Sequence, residues 1–194
     1  LYRPSKTQFS IVDVPEMRFL MVDGEGDPNT AKAYQEAVEA LYSVAYTIKF
    51  MLKQDPETED YVVPPLEGLW WAEDMGAFVE RDKSTWDWTM MIMQPEWINP
   101  DMVTDAVQQV VRSKDLPALP FLRVQTYDEG PSVQILHVGS YDHEAPTIAR
   151  LHNEFLPQNG YVENGKHHEI YLSDPRRVAP EKLKTILRQP VKTE

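Results

Sequence analysis

The feature that most constrains this chain is an order of elements that occurs twice. "MRFLMVDGEGDP" (Met17 to Pro28) is a short apolar run closed by glycines and a proline, which predicts a strand ending in a turn. From Thr30 to Gln54, the residues Tyr34, Val38, Leu41, Ala45, Ile48 and Leu52 recur at alternating steps of four and three. That spacing gives one apolar face of an amphipathic helix, with Asn29 or Thr30 as its cap. "LEGLWWAED" and "WDWTMMIMQP" follow as two strands rich in aromatic and bulky apolar residues. The same order returns as "SVQILHVGSY" (strand), Glu144 to Gln158 (helix, stopped by Asn159 and Gly160), "HHEIYLSD" and "KTILRQP" (strands).

Short echoes align the copies. "WWAED" matches "IYLSD" and "MIMQP" matches "ILRQP"; setting Asp74 on Asp174 places Trp71 opposite Tyr171 and Leu69 opposite Glu169. Between the copies, "NPDMVTDAVQQVVRSK" predicts a helix capped by Asn99 with Pro100 at its first position, and "PFLRVQTYDEG" adds a strand and turn. The expected fold class is therefore α+β. Duplicated strand-helix-strand-strand modules form a mostly antiparallel sheet, with helices on one face and a ligand cleft between modules. The expected organisation is a single domain over residues 1–194, with a first module at about 9–95, a connecting helix and strand at about 99–128 and a second module at about 131–192.

Charge and composition exclude several functions. With 31 acidic against 19 basic residues the net charge is -12, which opposes docking on phosphate backbones or anionic lipid, so neither direct nucleic-acid binding nor membrane association is expected. The absence of cysteine excludes disulfides, thiolate zinc sites and cysteine nucleophiles. No charged-then-apolar leader and no run near the roughly 20 apolar residues of a membrane span occur, which predicts a cytoplasmic protein. There is no G-x-G-x-x-G, Walker-type loop or G-x-S-x-G elbow, and no cofactor is expected. No sequence pattern specifies an oligomeric state.

Within "HHEIYLSDPRR" a lone carboxylate, Glu169, sits inside an otherwise good strand. Alternation sends Ile170 and Leu172 to one face, expected to meet the helices, and Glu169 and Tyr171 to the other, where the aligned Trp71 looks in from the first module. A carboxylate facing aromatic walls is poorly solvated and either takes a proton, finds a cation or serves chemistry. The competing reading leaves Glu169 at the sheet margin in water, or paired with Arg176, Arg177 or a histidine.

At these residues the chain resembles the GyrI-like small-molecule-binding domains, the fold also used as the drug-binding half of multidrug-sensing regulators. "VDGEGDP", "LYSVAYTIKF", "PLEGLWW", "VQILHVGSYDHEAPT" and, most specifically, "HHEIYLSDPRR" with "LKTILRQPV" carry the resemblance. It implies that Glu169 lies in the ligand cleft. The tryptophan-rich strands resemble a stand-alone subgroup whose members include hydrolases of cyclopropanoid DNA-alkylating natural products. On that resemblance Glu169 is the base that activates water, Tyr171 or Tyr141 donates to the phenolate-like oxygen that develops, and aromatic walls hold a flat substrate. The alternatives are a binding module that sequesters flat lipophilic or cationic compounds, and a gyrase-modulating protein.

Trp86 and Trp88 share a strand face, whereas Trp70 and Trp71 point oppositely, so one of the latter pair is core; together they predict at least a partial ring cage. Tyr42, Tyr46 and Phe50 form a second stripe on the long helix, and Tyr46 is the candidate cleft-lining phenol. His137 is a candidate hydrogen-bonding group in the groove, and His143 and His152 are read as surface or structural. No metal site is expected, because adjacent His167 and His168 face opposite sides of a strand and no H-x-x-x-H spacing occurs. "KQDPETEDY" (Lys53 to Tyr61) is read as a solvated acidic loop, with nucleic-acid mimicry as its rival.

Overall fold

Phe19, Leu20, Met21 and Val22 are all buried, so the first apolar run becomes a strand covered on both faces. The computed structural model, which describes residues 1–54, 61–72 and 83–194, is an α+β fold. Its strands are β1 (Ser10–Val14), β2 (Met17–Glu25), β3 (Leu66–Trp71), β4 (Asp87–Gln94), β5 (Arg123–Tyr127), β6 (Gly130–Val138), β7 (Tyr161–Glu163), β8 (His167–Tyr171) and β9 (Lys184–Thr193). The two longest helices are α1 (Lys32–Lys53) and α2 (Pro100–Ser113). Within each of the two units described below, the strand pairings are antiparallel. The chain divides into two units, Met17–Tyr127 and Leu1–Glu16 with Asp128–Glu194. Among the described residues no helix is long and apolar enough to cross a membrane.

In the unit Met17–Tyr127 the strands run β3-β4-β2-β5. α1 buries Ala37, Ala40, Leu41, Val44, Ala45, Ile48 and Leu52; each large side chain so enclosed contributes roughly 1.5–3 kcal/mol. The cap differs from expectation. Ala31 takes that position without a side-chain bond, because Asp27 organises the preceding turn: its Oδ1 accepts from the Asn29 N–H (2.9 Å) and its carbonyl from Thr30 and Ala31 (3.0 and 2.7 Å). Asn99 does cap α2 as expected, accepting from the Met102 N–H at 2.9 Å, with Pro100 following.

Gly24 and Trp88 face each other across β2 and β4, and a Cβ at Gly24 would stand 2.1 Å from the Trp88 ring. The indole therefore occupies the space a side chain would need. Tyr34 of α1 meets Trp88 edge-on at 5.4 Å and stacks on Trp70 at 6.2 Å, so these tryptophans lie between sheet and helix. On the opposite face Phe19, Met21, Leu69 and Met91 form a buried cluster with Trp71 packed against it.

In the other unit the strands run β1-β6-β9-β8, with β7 beside the end of β9. The helix expected over residues 144–158 is continuous but mixed: α-helical at Ala145–Arg150, π-helical at Leu151–Phe155 and α-helical again at Leu156–Gln158. Pro157 has no N–H to donate, and the Leu156 N–H reaches back five residues to the Leu151 carbonyl. Gly160 then takes the left-handed conformation (φ 68°). Asn159 does not (φ -107°); its side chain instead caps the Phe155 carbonyl at 2.7 Å.

Cross-strand partners share a face, and Val133, Ile135 and His137 pair with Gln189, Leu187 and Thr185, while Leu187 and Thr185 pair with Glu169 and Tyr171. Val133 packs on Leu151 and Leu156 of the helical segment. The segment therefore covers the face that carries Glu169, which corrects the expectation that Ile170 and Leu172 meet the helices; Leu172 is 37% exposed. The registers also show why alignment by echoes misled. Glu67 pairs with Met91 and Ile170 with Ile186, so setting Met91 on Ile186 puts Leu66, not Leu69, on Glu169. The two echoes disagree by an odd number of residues, which reverses every face.

Opposite Glu169, on the far face of this sheet, lies a buried polar network. Glu129 accepts from Arg188 Nη1 at 3.0 Å and meets His168 Nδ1 at 2.9 Å, while Arg188 Nε donates to Gln134 Oε1 at 3.0 Å. Burial opposes ionisation of Glu129, but His168 and Arg188 together outweigh it and hold the carboxyl below its ordinary range.

Two outcomes follow. Gly24→Ala is expected to lower the urea midpoint by the equivalent of about 1–3 kcal/mol, because the rigid Trp88 ring must move. Glu129→Gln is expected to cost roughly 3–5 kcal/mol at neutral pH by leaving Arg188 uncompensated. Since the folded carboxyl is depressed, its contribution is complete above the ordinary carboxylate range and is lost as pH falls through the lower folded value; urea titrations at neutral and acid pH should show the variant and parent converging on acidification.

Candidate functional site

Four of the eight residues expected at the site converge within the unit that contains Asp128–Glu194: Glu169, Tyr171, His137 and Tyr141. Glu169 and Tyr171 stand two residues apart on β8, so they project to one side, and the Tyr171 hydroxyl donates to Glu169 Oε2 at 2.8 Å. The other carboxylate oxygen, Oε1, lies 3.6 Å from His167 Nε2, beyond hydrogen-bond reach but close enough for strong attraction were the imidazole charged. The Glu169 side chain is 14% exposed, so the reading that left it in bulk water is set aside. Arg176 and Arg177 are not its partners either. Both turn to Asp174, at 2.9 and 3.7 Å.

The Tyr141 ring meets the Tyr171 ring edge-on at 5.8 Å, at the start of the helical segment. His137 belongs to the same row as Thr185 and Tyr171. Its Nε2 lies 3.2 Å from the Ser140 carbonyl; a carbonyl only accepts, so Nε2 carries the proton. Burial pushes the His137 pKa down, and the Ser140 contact and the Glu169 charge offset this only in part, so the ring is held neutral. The bend that brings Ser140 under the ring needs glycine. Gly139 has φ 149°, and a Cβ there would sit 3.0 Å from His137 Nε2.

The structure places the other four candidates, Tyr46, Trp71, Trp86 and Trp88, in the unit Met17–Tyr127. Trp88 is wholly enclosed over Gly24, so it serves the core and corrects the expectation of a ligand-facing ring; Trp70 is core as well. Trp86 precedes β4 rather than lying on it, and meets Trp70 edge-on at 5.8 Å. Trp71 is half-buried on the face away from α1. Tyr46 is 46% exposed, stacked between Tyr42 and Phe50 at 6.1 and 6.2 Å along the outside of α1. Asp74 and most of the acidic stretch between Lys53 and Tyr61 lie outside the described residues.

His167 and His168 do face opposite sides, one toward Glu169 and the other toward Glu129. His152 pairs with Glu163 at 2.6 Å and His143 with Ser140 at 2.9 Å, consistent with structural roles. Among the described residues no three His, Cys, Asp or Glu side chains are grouped to hold a metal ion.

Sequence reasoning missed three features. Glu67, wholly buried on β3, shares a face with Leu69 and Trp71, and the alternation argument used for Glu169 applies to it equally. His167, which the sequence offers as a metal ligand, is the histidine that neighbours Glu169. Thr185 offered no signal, since threonine is ordinary in strands.

What these residues can do chemically is accept a proton. One carboxylate, oriented by a phenol and flanked by a neutral and a second imidazole, lies in a ring-walled site.

Comparison with known proteins bears on the fold and the family. The description of the GyrI-like small molecule binding domain matches residues 7–192. An uncharacterised conserved protein from Listeria innocua is 41% identical with a TM-score of 0.89, over 98% of this chain and 95% of that one. A hydrolase from Listeria innocua is 40% identical with a TM-score of 0.84, over 98% and 94%. The C-terminal domain of EcmrR, 12% identical with a TM-score of 0.60 over 96% and 98%, shares the fold. None of the curated proteins matches. With the domain match spanning nearly its whole length, the chain belongs to the family of the GyrI-like small molecule binding domain.

Proposed function

We propose that this protein is a hydrolase that opens cyclopropane-bearing, DNA-alkylating natural products, with Glu169 as general base. The observation that carries the reading is the Glu169 carboxylate itself: largely buried, fixed at Oε2 by Tyr171, and ringed by Tyr141, Tyr171, His137 and His167. The hydrolase among the Listeria innocua relatives supports the reaction class.

In the proposed reaction a water molecule loses a proton to Glu169 as its oxygen bonds to a cyclopropane carbon. The strained carbon–carbon bond breaks and its electron pair moves through the conjugated system to the carbonyl oxygen, which becomes phenolate-like and takes a proton. Water is added overall, and the carboxylate is regenerated when its proton is released. Because the Tyr171 hydroxyl already donates to Glu169, its part is to aim the carboxylate, and the donor to the developing oxygen is assigned to Tyr141. His137, held neutral, adds no competing positive charge beside the base.

A second reading, capture without turnover, is favoured by the same carboxylate among rings, which suits a flat lipophilic cation. The two differ in a direct measurement. Purified protein in substoichiometric amount should convert a cyclopropane-bearing alkylator to its ring-opened alcohol over many cycles; protection that stops at one equivalent would establish capture instead.

Glu169→Gln is expected to lower turnover by about 10²–10⁴-fold while retaining much of the affinity for a neutral planar ligand. Full turnover in that variant would remove Glu169 from the mechanism. Tyr171→Phe is expected to lower kcat by about tenfold with the fold intact by circular dichroism, the loss of one charge-assisted hydrogen bond.

A further inference from the structure

Thr185 lies at the centre of the row that crosses β6, β9 and β8: His137 is its partner on one side and Tyr171 on the other. It is 0% exposed, and its Oγ1 has no hydrogen-bond partner among the described residues. Buried hydroxyls are almost always satisfied, so one left over in the protein's interior is expected to serve something the protein binds. The direction in which it points is fixed by register. Thr185 shares the face of Glu169, Tyr171 and His137, and Glu169 is its diagonal neighbour, a separation of about 7–8 Å between Cα atoms that a single shared water spans.

The hydroxyl is also the chemically suitable group. Tyr171 already donates to Glu169, and His137 Nε2 already donates to Ser140. A threonine hydroxyl offers one donor and two acceptor lone pairs and rotates to suit its partner, so it can accept from a water that gives its other proton to the carboxylate. Its β-branched side chain keeps χ1 narrow in a strand, which fixes the oxygen without further bonds.

We infer that Thr185 positions the nucleophilic water, holding it between its hydroxyl and the Glu169 carboxylate. This rests on the hydrolase reading for its catalytic meaning, although the water site itself does not. Thr185 is a positioning residue: it takes no proton from the substrate and forms no bond to it, and proton transfer goes to Glu169.

The test uses the full chain and the pair Thr185→Val, which keeps the shape and deletes the hydroxyl, and Thr185→Ser, which keeps the hydroxyl. Crystals of the parent should show an ordered water within hydrogen-bond distance of Thr185 Oγ1, absent in Thr185→Val. With a cyclopropane-bearing alkylator as substrate, Thr185→Val should lose at least about tenfold in kcat with KM little changed, and Thr185→Ser should recover most of it. The urea midpoint of Thr185→Val should be little changed, since the substitution keeps the shape and removes only a hydroxyl whose partner is a bound water. A Thr185→Val variant with parental kcat, or one whose loss of kcat comes with a lowered unfolding midpoint, overturns the inference. If the parent itself shows no turnover, the hydrolase reading falls while the water site is decided by the crystals alone: water held in the parent and lost in Thr185→Val sustains it, and no ordered water there overturns it.

Discussion

The pairing of β8 with β9 sets the sides to which His168, Glu169, Tyr171, Thr185 and Arg188 point. His168 faces Arg188 across the strands and Tyr171 faces Thr185, so one side of the sheet receives His168 and Arg188 and the other receives Glu169, Tyr171 and Thr185. Side chains alternate with a period of two, and a slip of a single residue would exchange the sets. Glu169 would then lie on the side of the Arg188 guanidinium, where the carboxylate would become an ion-pair partner. The register is held by apolar residues on both sides, with Ile170 paired to Ile186 and Glu169 to Leu187, all three aliphatic side chains buried.

Two glutamates of this unit, Glu129 and Glu169, show how surroundings differ for one residue type. Glu129 is enclosed with a guanidinium and an imidazole, and its charge is the reason that the network can be buried. Among the described residues no guanidinium pairs with Glu169. A phenol orients it, an imidazole stands just outside hydrogen-bond distance, and the nearby arginines are drawn to Asp174. Arg188 and His168 therefore meet the charge of Glu129 directly, whereas Glu169 is oriented by a neutral hydroxyl. The difference in surroundings thus follows from which face of the sheet each occupies.

Much of this was legible in the sequence. The repeated order of strand and helix, the apolar stripe of α1, the Asn99 cap and the oddness of a glutamate inside "HHEIYLSD" are local patterns, and local patterns survive folding. The faces were not legible, because face depends on register and register on partners far along the chain. The tryptophans illustrate this. Four rings on two strands suggested a cage, yet Gly24, more than 60 positions from Trp88, opens the space that draws that indole into the core. β1 and β7 escaped notice because each is short, and their partners β6 and β9 are distant in sequence. Thr185 stands out only when its burial and the lack of a hydrogen-bond partner among the described residues are taken together.

The π-helical stretch at Leu151–Phe155 has a packing consequence of its own. In a regular α-helix, residues five apart are rotated by roughly 140° from one another and cannot share a contact surface. Widening the turn returns the fifth residue nearly to the azimuth of the first, so Leu151 and Leu156 point the same way and both seat on the sheet with Val133 and Val191. A proline that interrupts the hydrogen-bond ladder thereby sets the rotational phase of the helix, and the phase decides which leucines anchor it over the strand face that carries the carboxylate.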